Sequence, residues 1–306
     1  MKRSVVFYSA VISILAAGLS VIFAPSIRVN AQQRETPLVK LSGSSAAAKD
    51  ARGDAAVKRF SAAAVENVRS RDALRWDFGG KAQNGWAIYV PLISQTIGTE
   101  KESSSPEFAA AVAQWQKNAG IEPDGIIDRP TLEALIKFWQ SRRVLNGSYP
   151  SDDQLISAPI SEFFDPTRDP SLLQLERETY SAYKRMLRAA AKDLGSVKFT
   201  KTGEIAPGEK FFTIVSAFRS REYQDSLRRK EPNAGRGALA KVSVHSTGRA
   251  IDIYVGGEPV TTKDPNRMIQ VQTPAYKWLV KNASKFGFVP YFYEPWHWEY
   301  VGGAAK

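Results

Sequence analysis

The sequence predicts an α+β chain with a small helical domain ahead of a mixed C-terminal domain, and three patterns carry that prediction. Between Pro106 and Gln140 apolar residues recur at helical spacing on both sides of a Pro123-Asp124-Gly125 turn. Phe211 to Val215 is a short apolar run of strand length, and Arg249 to Val255 alternates, with Ile251, Ile253 and Val255 on one face and Ala250, Asp252 and Tyr254 on the other. Around these strands lie helical stripes, from Leu172 to Leu194 and from Tyr276 to Phe286.

Taken in order, residues 1–31 read as an export signal. Lys2 and Arg3 precede an apolar stretch from Val5 to Ala24, and Val29-Asn30-Ala31 offers a small-residue cleavage site. The apolar stretch is long enough that an uncleaved membrane anchor is the competing reading. Either way the chain is expected outside the cytoplasm, in the periplasm or cell wall. Residues 32–75, rich in Ala, Ser, Lys and Arg, read as a linker or loosely helical spacer.

Residues 76–145 form the predicted helical domain. Phe108, Val112 and Trp115 define one helix that stops near Gly120, and Thr131 is the expected cap of a second, through Leu132, Leu135, Ile136 and Trp139. Residues 146–168, with NGSYPSDDQ and DPTRDP, read as a connector. The domain 169–306 opens with a helix expected from Pro170 and Ser171 to Gly195. It continues with the strand Phe211–Val215, a polar loop from Lys230 to Lys241, the strand 249–255 and a helix capped by Thr273 that closes at Gly287.

Composition narrows the chemistry. Apolar content of 43% and seven tryptophans exclude wholesale disorder. The absence of cysteine excludes disulfides, thiolate metal sites, a cysteine nucleophile and a lipidated N-terminal cysteine. A net charge of +11 favours polyanions, among them anionic wall polymers and acidic membrane surfaces. No nucleic-acid-binding motif is present, and an export signal argues against nucleic acid as partner. Nothing in the sequence speaks to the oligomeric state.

There are two histidines in the 306 residues, and both sit in short runs that mix carboxylates with turn formers: SVHSTGRAID, Ser243 to Asp252, and EPWHWEY, Glu294 to Tyr300. His245, Asp252 and His297 make a candidate ligand set, with Glu294 left over as a base. His245 and Asp252 are an odd number of positions apart, so a straight strand would aim them oppositely; Ser246, Thr247 and Gly248 supply a turn. Pro295 breaks the second run in the same way, and Glu299 shares the face of His297, as a candidate partner for its ring or simply as an exposed residue. Taken singly, each run reads better as a satisfied structural histidine, with Glu294 in the second as a surface glutamate.

Together the runs read S-x-H-x-x-G-x-A-x-D followed by E-x-x-H, a pattern that resembles the signature of the zinc D-alanyl-D-alanine peptidases of the VanY carboxypeptidase type, related to VanX-type dipeptidases and some phage endolysins. Ser243, His245, Gly248, Ala250, Asp252, Glu294 and His297 match it as they stand. The resemblance implies a small, mostly antiparallel sheet with flanking helices, and one Zn2+ ion on His245, Asp252 and His297. Glu294 is then general base and afterwards general acid, and substrate contacts come from Arg219, Ser243 and Gln224. Arg219 lies in SAFRSREYQ, where Phe218 replaces the usual tyrosine; it would hold a substrate carboxylate or stabilise an oxyanion, unless it merely pairs with Glu222 or Asp225.

The helical domain is similar to the common three-helix peptidoglycan-binding domain, through Trp115-Gln116, Pro123-Asp124-Gly125 and Thr131, with Asp128 where that family has a glycine. The implied partner is peptidoglycan, and a role as spacer or dimerisation module is the alternative. The implied activity is D,D-carboxypeptidase; an endopeptidase would use the same residues, and a non-catalytic wall-binding protein would keep the fold alone.

Overall fold

The structure is a computed structural model that describes residues 45–144, 148–230 and 243–302. The expected export signal, the start of the linker and nearly all of the polar loop after Lys230 lie outside the described residues. Among the described residues, no helix is long and apolar enough to cross a membrane.

The helical unit opens with α1 (Ser45–Ala73), so the described part of the stretch read as a linker or loosely helical spacer is helical, and the second half of the helix is packed. Phe60, Ala63 and Ala64 are buried there. Asn67 donates to the Gly125 carbonyl at 2.9 Å and accepts from the Ile127 N–H at 2.7 Å. A hairpin follows, β1 (Arg75–Phe78) with β2 (Lys81–Asn84), then α2 (Val90–Ile97), α3 (Pro106–Asn118) and α4 (Arg129–Gln140). Ser105 caps α3 by accepting from the Phe108 N–H at 3.1 Å, and Phe108, Ala109, Val112, Ala113 and Gln116 form its buried stripe.

Gln116 explains the motif that marks this unit. It is buried, its amide nitrogen lies 2.9–3.0 Å from Asp124 Oδ1, the Ile126 carbonyl and Thr131 Oγ1, and its carbonyl accepts from the Gly125 N–H at 2.8 Å. Gly125 has φ +81, and a Cβ there would sit 2.6 Å from the Ala109 carbonyl oxygen, so only glycine fits. The cap of α4 is Asp128 rather than the expected Thr131: its carboxylate accepts from the Thr131 N–H at 2.9 Å, leaving the Thr131 hydroxyl to Gln116. Asp128 therefore has its own structural task.

The C-terminal domain is built on β3 (Leu155–Ser157), β4 (Gln174–Glu176), α5 (Arg177–Asp193), β5 (Ile214–Ser216), α6 (Arg221–Lys230), β6 (Ala250–Ile253), α7 (Asp264–Gln272), α8 (Pro274–Asn282), β7 (Phe288–Pro290) and β8 (His297–Tyr300). Two expectations need correction here. The helix expected from Pro170 begins only at Arg177, because Gln174–Glu176 pair with β3 and the Glu176 carboxylate caps the Thr179 N–H at 2.8 Å. The strand expected from Phe211 begins at Ile214, because Phe212 sits at φ 68, a left-handed conformation held by its N–H on the Tyr254 carbonyl (3.0 Å) and its own carbonyl on the Tyr183 hydroxyl (2.9 Å).

The main sheet is antiparallel, in the order β5-β6-β8-β7. Both sides of β6 are buried, with α5 and α8 supplying apolar stripes such as Tyr183, Met186, Leu187 and Leu279. One continuous core runs from this domain into the helical unit. At the junction Phe78 of the hairpin meets Phe292 edge-on, ring centres 4.7 Å apart, and Trp139 of α4 stacks on Phe292 at 5.9 Å. The buried Arg267 of α7 adds a polar tie, donating to the Tyr89 hydroxyl at 2.9 Å and the Tyr293 carbonyl at 3.2 Å.

Candidate active site

The register of the sheet places the chemistry in a row. Ser216 of β5 lies opposite Asp252 of β6, which lies opposite His297 of β8, so three polar residues cross one face of adjacent strands. Ala250 faces Glu299 one step along the same face.

His245 reaches the row from outside the sheet. It stands in a 3-10 turn, Val244–Thr247, that ends at Gly248 with φ +69. A Cβ on Gly248 would lie 2.8 Å from the Glu176 N, and the Gly248 carbonyl accepts from that N–H at 3.0 Å, so this glycine is required by both conformation and contact. The turn re-aims the imidazole as the odd spacing demands.

Glu294 is brought back by a second bend. The His297 N–H donates to the Glu294 carbonyl at 2.9 Å, and the Tyr291 N–H returns to the His297 carbonyl at 3.0 Å. Pro295 and Trp296 form the tip, with the Trp296 carbonyl accepting from the Ile253 N–H at 2.8 Å.

His245, Asp252 and His297 are all buried, and one donor atom from each falls within 4.8 Å of the other two. His245 Nε2 is 3.3 Å from Asp252 Oδ1, and His297 Nδ1 is 2.9 Å from the same oxygen. The other nitrogen of each ring is engaged away from this point. His245 Nδ1 lies 2.8 Å from the Ala217 carbonyl, and His297 Nε2 lies 3.1 Å from Glu299 Oε1. Those two contacts fix which nitrogen of each ring faces the cluster.

Electrostatics tells the same story. Burial, with the nearby Arg219 cation, pushes His245 down to about 4, so this ring is neutral. Burial opposes charge on His297 too, but hydrogen bonds to Asp252 and Glu299 raise it to about 10. The Asp252 carboxyl is held well below the usual carboxylate range against burial by His245 and His297. Glu294 behaves differently: burial raises its carboxyl to about 7, the ordinary range of a proton carrier at neutral pH.

Arg219 turns to Ser216 Oγ, with Nη2 at 3.1 Å, and to Asp252 Oδ2 at 3.3 Å, rather than to Glu222 or Asp225 among the described ion pairs. It stands at the edge of the cluster, partly exposed. Ser243 caps the His245 turn, its hydroxyl accepting from the His245 N–H at 3.3 Å. Gln224 is buried in α6, its backbone N–H bonded to the Ser220 carbonyl at 2.9 Å.

Glu299 is fully buried and bonded to His297, so of its two expected roles, partner or exposed residue, the first holds. Burial opposes its charge, but His297 and Arg143 hold the carboxyl down at about 2. Arg143 was not foreseeable as its partner: the two are 156 residues apart. The alternation of Trp298 and Tyr300 with Glu299 signals only that a buried carboxylate needs some cation.

No curated protein matches the chain. Two family models do. Residues 94–135 match the peptidoglycan binding domain, which takes in the Gln116 knot. Residues 172–303 match the family described as VanY, D-alanyl-D-alanine carboxypeptidase, and they contain β4 to β8 and every residue of the cluster. The chain thus joins a segment similar to VanY-type D-alanyl-D-alanine carboxypeptidases to a preceding segment similar to peptidoglycan-binding domains, an arrangement that supports a cell-wall peptidase role, and the buried His-Asp-His group could hold a metal.

Proposed function

We propose that the protein is a zinc-dependent D,D-carboxypeptidase that removes the terminal D-alanine from peptidoglycan stem peptides. The observation that carries this reading is the donor set: His245 Nε2, Asp252 Oδ1 and His297 Nδ1 converge, and each ring's second nitrogen is engaged elsewhere. Two nitrogens and one carboxylate oxygen suit zinc with a position left open, whereas calcium and magnesium take oxygen shells. Zinc, when bound, supplies a Lewis acid and lowers the pKa of water toward neutrality.

The chain's own residues supply the rest. Glu294, half-buried and raised to about 7, takes a proton from the attacking water and delivers it to the leaving amine. Arg219 offers a partly exposed guanidinium to negative charge on the substrate, and a free terminal carboxylate is the group it matches. In this reading residues 1–31 export the chain, and the +11 charge favours an anionic wall.

The test is hydrolysis of a pentapeptide ending in D-Ala-D-Ala, with zinc and with chelator, and identification of products by mass. Chelator-sensitive loss of one alanine is expected. New amines inside the stem would make the protein an endopeptidase, and binding without cleavage a wall-binding protein.

A further inference from the structure

We propose that Arg143, at the end of the helical domain, is a positioning residue for the metal site, acting on His297 through Glu299. This inference rests on the metal-centre reading above. The chain of contacts is continuous. His297 Nε2 lies 3.1 Å from Glu299 Oε1, and Arg143 Nε donates to that same oxygen at 2.8 Å, joined by Arg143 Nη2. The neighbouring Val144 N–H donates to Glu299 Oε2 at 2.9 Å. Residues 143 and 144 together therefore fix both oxygens of the carboxylate that orients the ring.

Arg143 is itself fixed from two sides. Its Nη1 donates to Gln140 Oε1 of α4 at 3.1 Å, and its guanidinium lies 4.0 Å from the centre of the Tyr291 ring. Tyr291 in turn meets the His297 ring edge-on, centres 5.9 Å apart. The arginine thus holds His297 through a carboxylate and through an aromatic wall at once. Only seating of the helical domain brings it there, since no lysine or arginine of the 172–303 segment pairs with Glu299 among the described ion pairs, and its one partner within that segment is His297, the ring being positioned.

His245 needs nothing comparable, because its second nitrogen rests on the Ala217 backbone carbonyl within the same domain. The helical domain is then more than a wall anchor: it completes the support of one metal ligand, and its displacement loosens that ligand.

A plain interdomain salt bridge would also cost stability when broken, so the readout has to be metal affinity. Zinc alone is titrated into metal-free full-length protein against a chromogenic chelator, with the unfolding midpoint measured separately in chelator. Arg143→Met weakens zinc binding by about 10–100-fold, the range for lost support of a metal-ligating histidine. Arg143→Lys recovers only part of this, because an ammonium cannot reproduce the planar pair of N–H donors. Lys281→Met, which removes the exposed Lys281–Glu100 pair, leaves zinc affinity unchanged. Wild-type zinc affinity in both Arg143 variants, or an equal loss in Lys281→Met, overturns the inference while leaving the metal centre standing. Failure of the wild-type protein to bind zinc overturns the metal reading itself and this inference with it. Should Arg143→Met not fold, Arg143→Lys carries the comparison.

Discussion

Among the described residues a buried polar knot in the helical domain and one in the C-terminal domain are built to opposite ends. Around Gln116 every capacity is spent: three acceptors surround its nitrogen and the Gly125 N–H occupies its carbonyl. Around Asp252 the donors are gathered and aimed at one point, with the remaining nitrogen of each ring tied off elsewhere. A closed knot shapes a loop; an open one holds something. Burial is similar in the two, so burial of polar groups does not by itself mark a functional site, but convergence of donors does.

The contrast can be broken most severely at the open knot. His245→Ala removes one of three donors and is expected to abolish both metal binding and hydrolysis, read by metal content and peptide assay. Glu294→Gln keeps the donors and removes the proton carrier, so metal is retained while kcat falls by roughly 10²–10⁴, the usual contribution of general acid–base catalysis. Metal loss in Glu294→Gln would place that residue among the ligands instead.

At the closed knot the effect falls on stability. Gln116→Ala strands the Gly125 N–H and the groups facing the amide, and should destabilise the protein by about 2–4 kcal/mol in urea denaturation. Activity on a short soluble peptide should stay near wild type. A milder version is Asp128→Ala, which removes the α4 cap and should cost about 1 kcal/mol by the same measurement.

The pH profile sharpens the comparison further. In the proposed mechanism Glu294 acts as a carboxylate, and burial raises its pKa to about 7. Activity must therefore fall as pH drops through the pKa of this group, and a bound cation, which favours the carboxylate, moves that limb below about 7. The limb should be absent from the residual activity of Glu294→Gln, as a pH series on both proteins would show.

Much of this was readable in the sequence because it is local. The spacing from His245 to Asp252 demanded a turn, and Gly248 supplies it; the alternation from Trp296 to Tyr300 gave β8 and the shared face of His297 and Glu299. What escaped depends on distant partners. Pro170 to Leu175 carries helical spacing, yet β3 claims Gln174–Glu176 as a strand. The left-handed Phe212 is imposed by Tyr254 and Tyr183, far along the chain. Thr131 carries the sequence mark of a cap, but Asp128 precedes it and the buried Gln116 needs the threonine hydroxyl. Arg143, lastly, has no local pattern at all; its place follows from how α4 meets the peptidase sheet.

The most direct measurement is zinc stoichiometry against activity in one preparation, comparing the wild-type protein with His245→Ala. The account predicts one zinc per wild-type chain, hydrolysis that disappears with the metal and returns on adding it back, and neither property in the variant. Full hydrolysis by metal-free protein, or by His245→Ala, would contradict it.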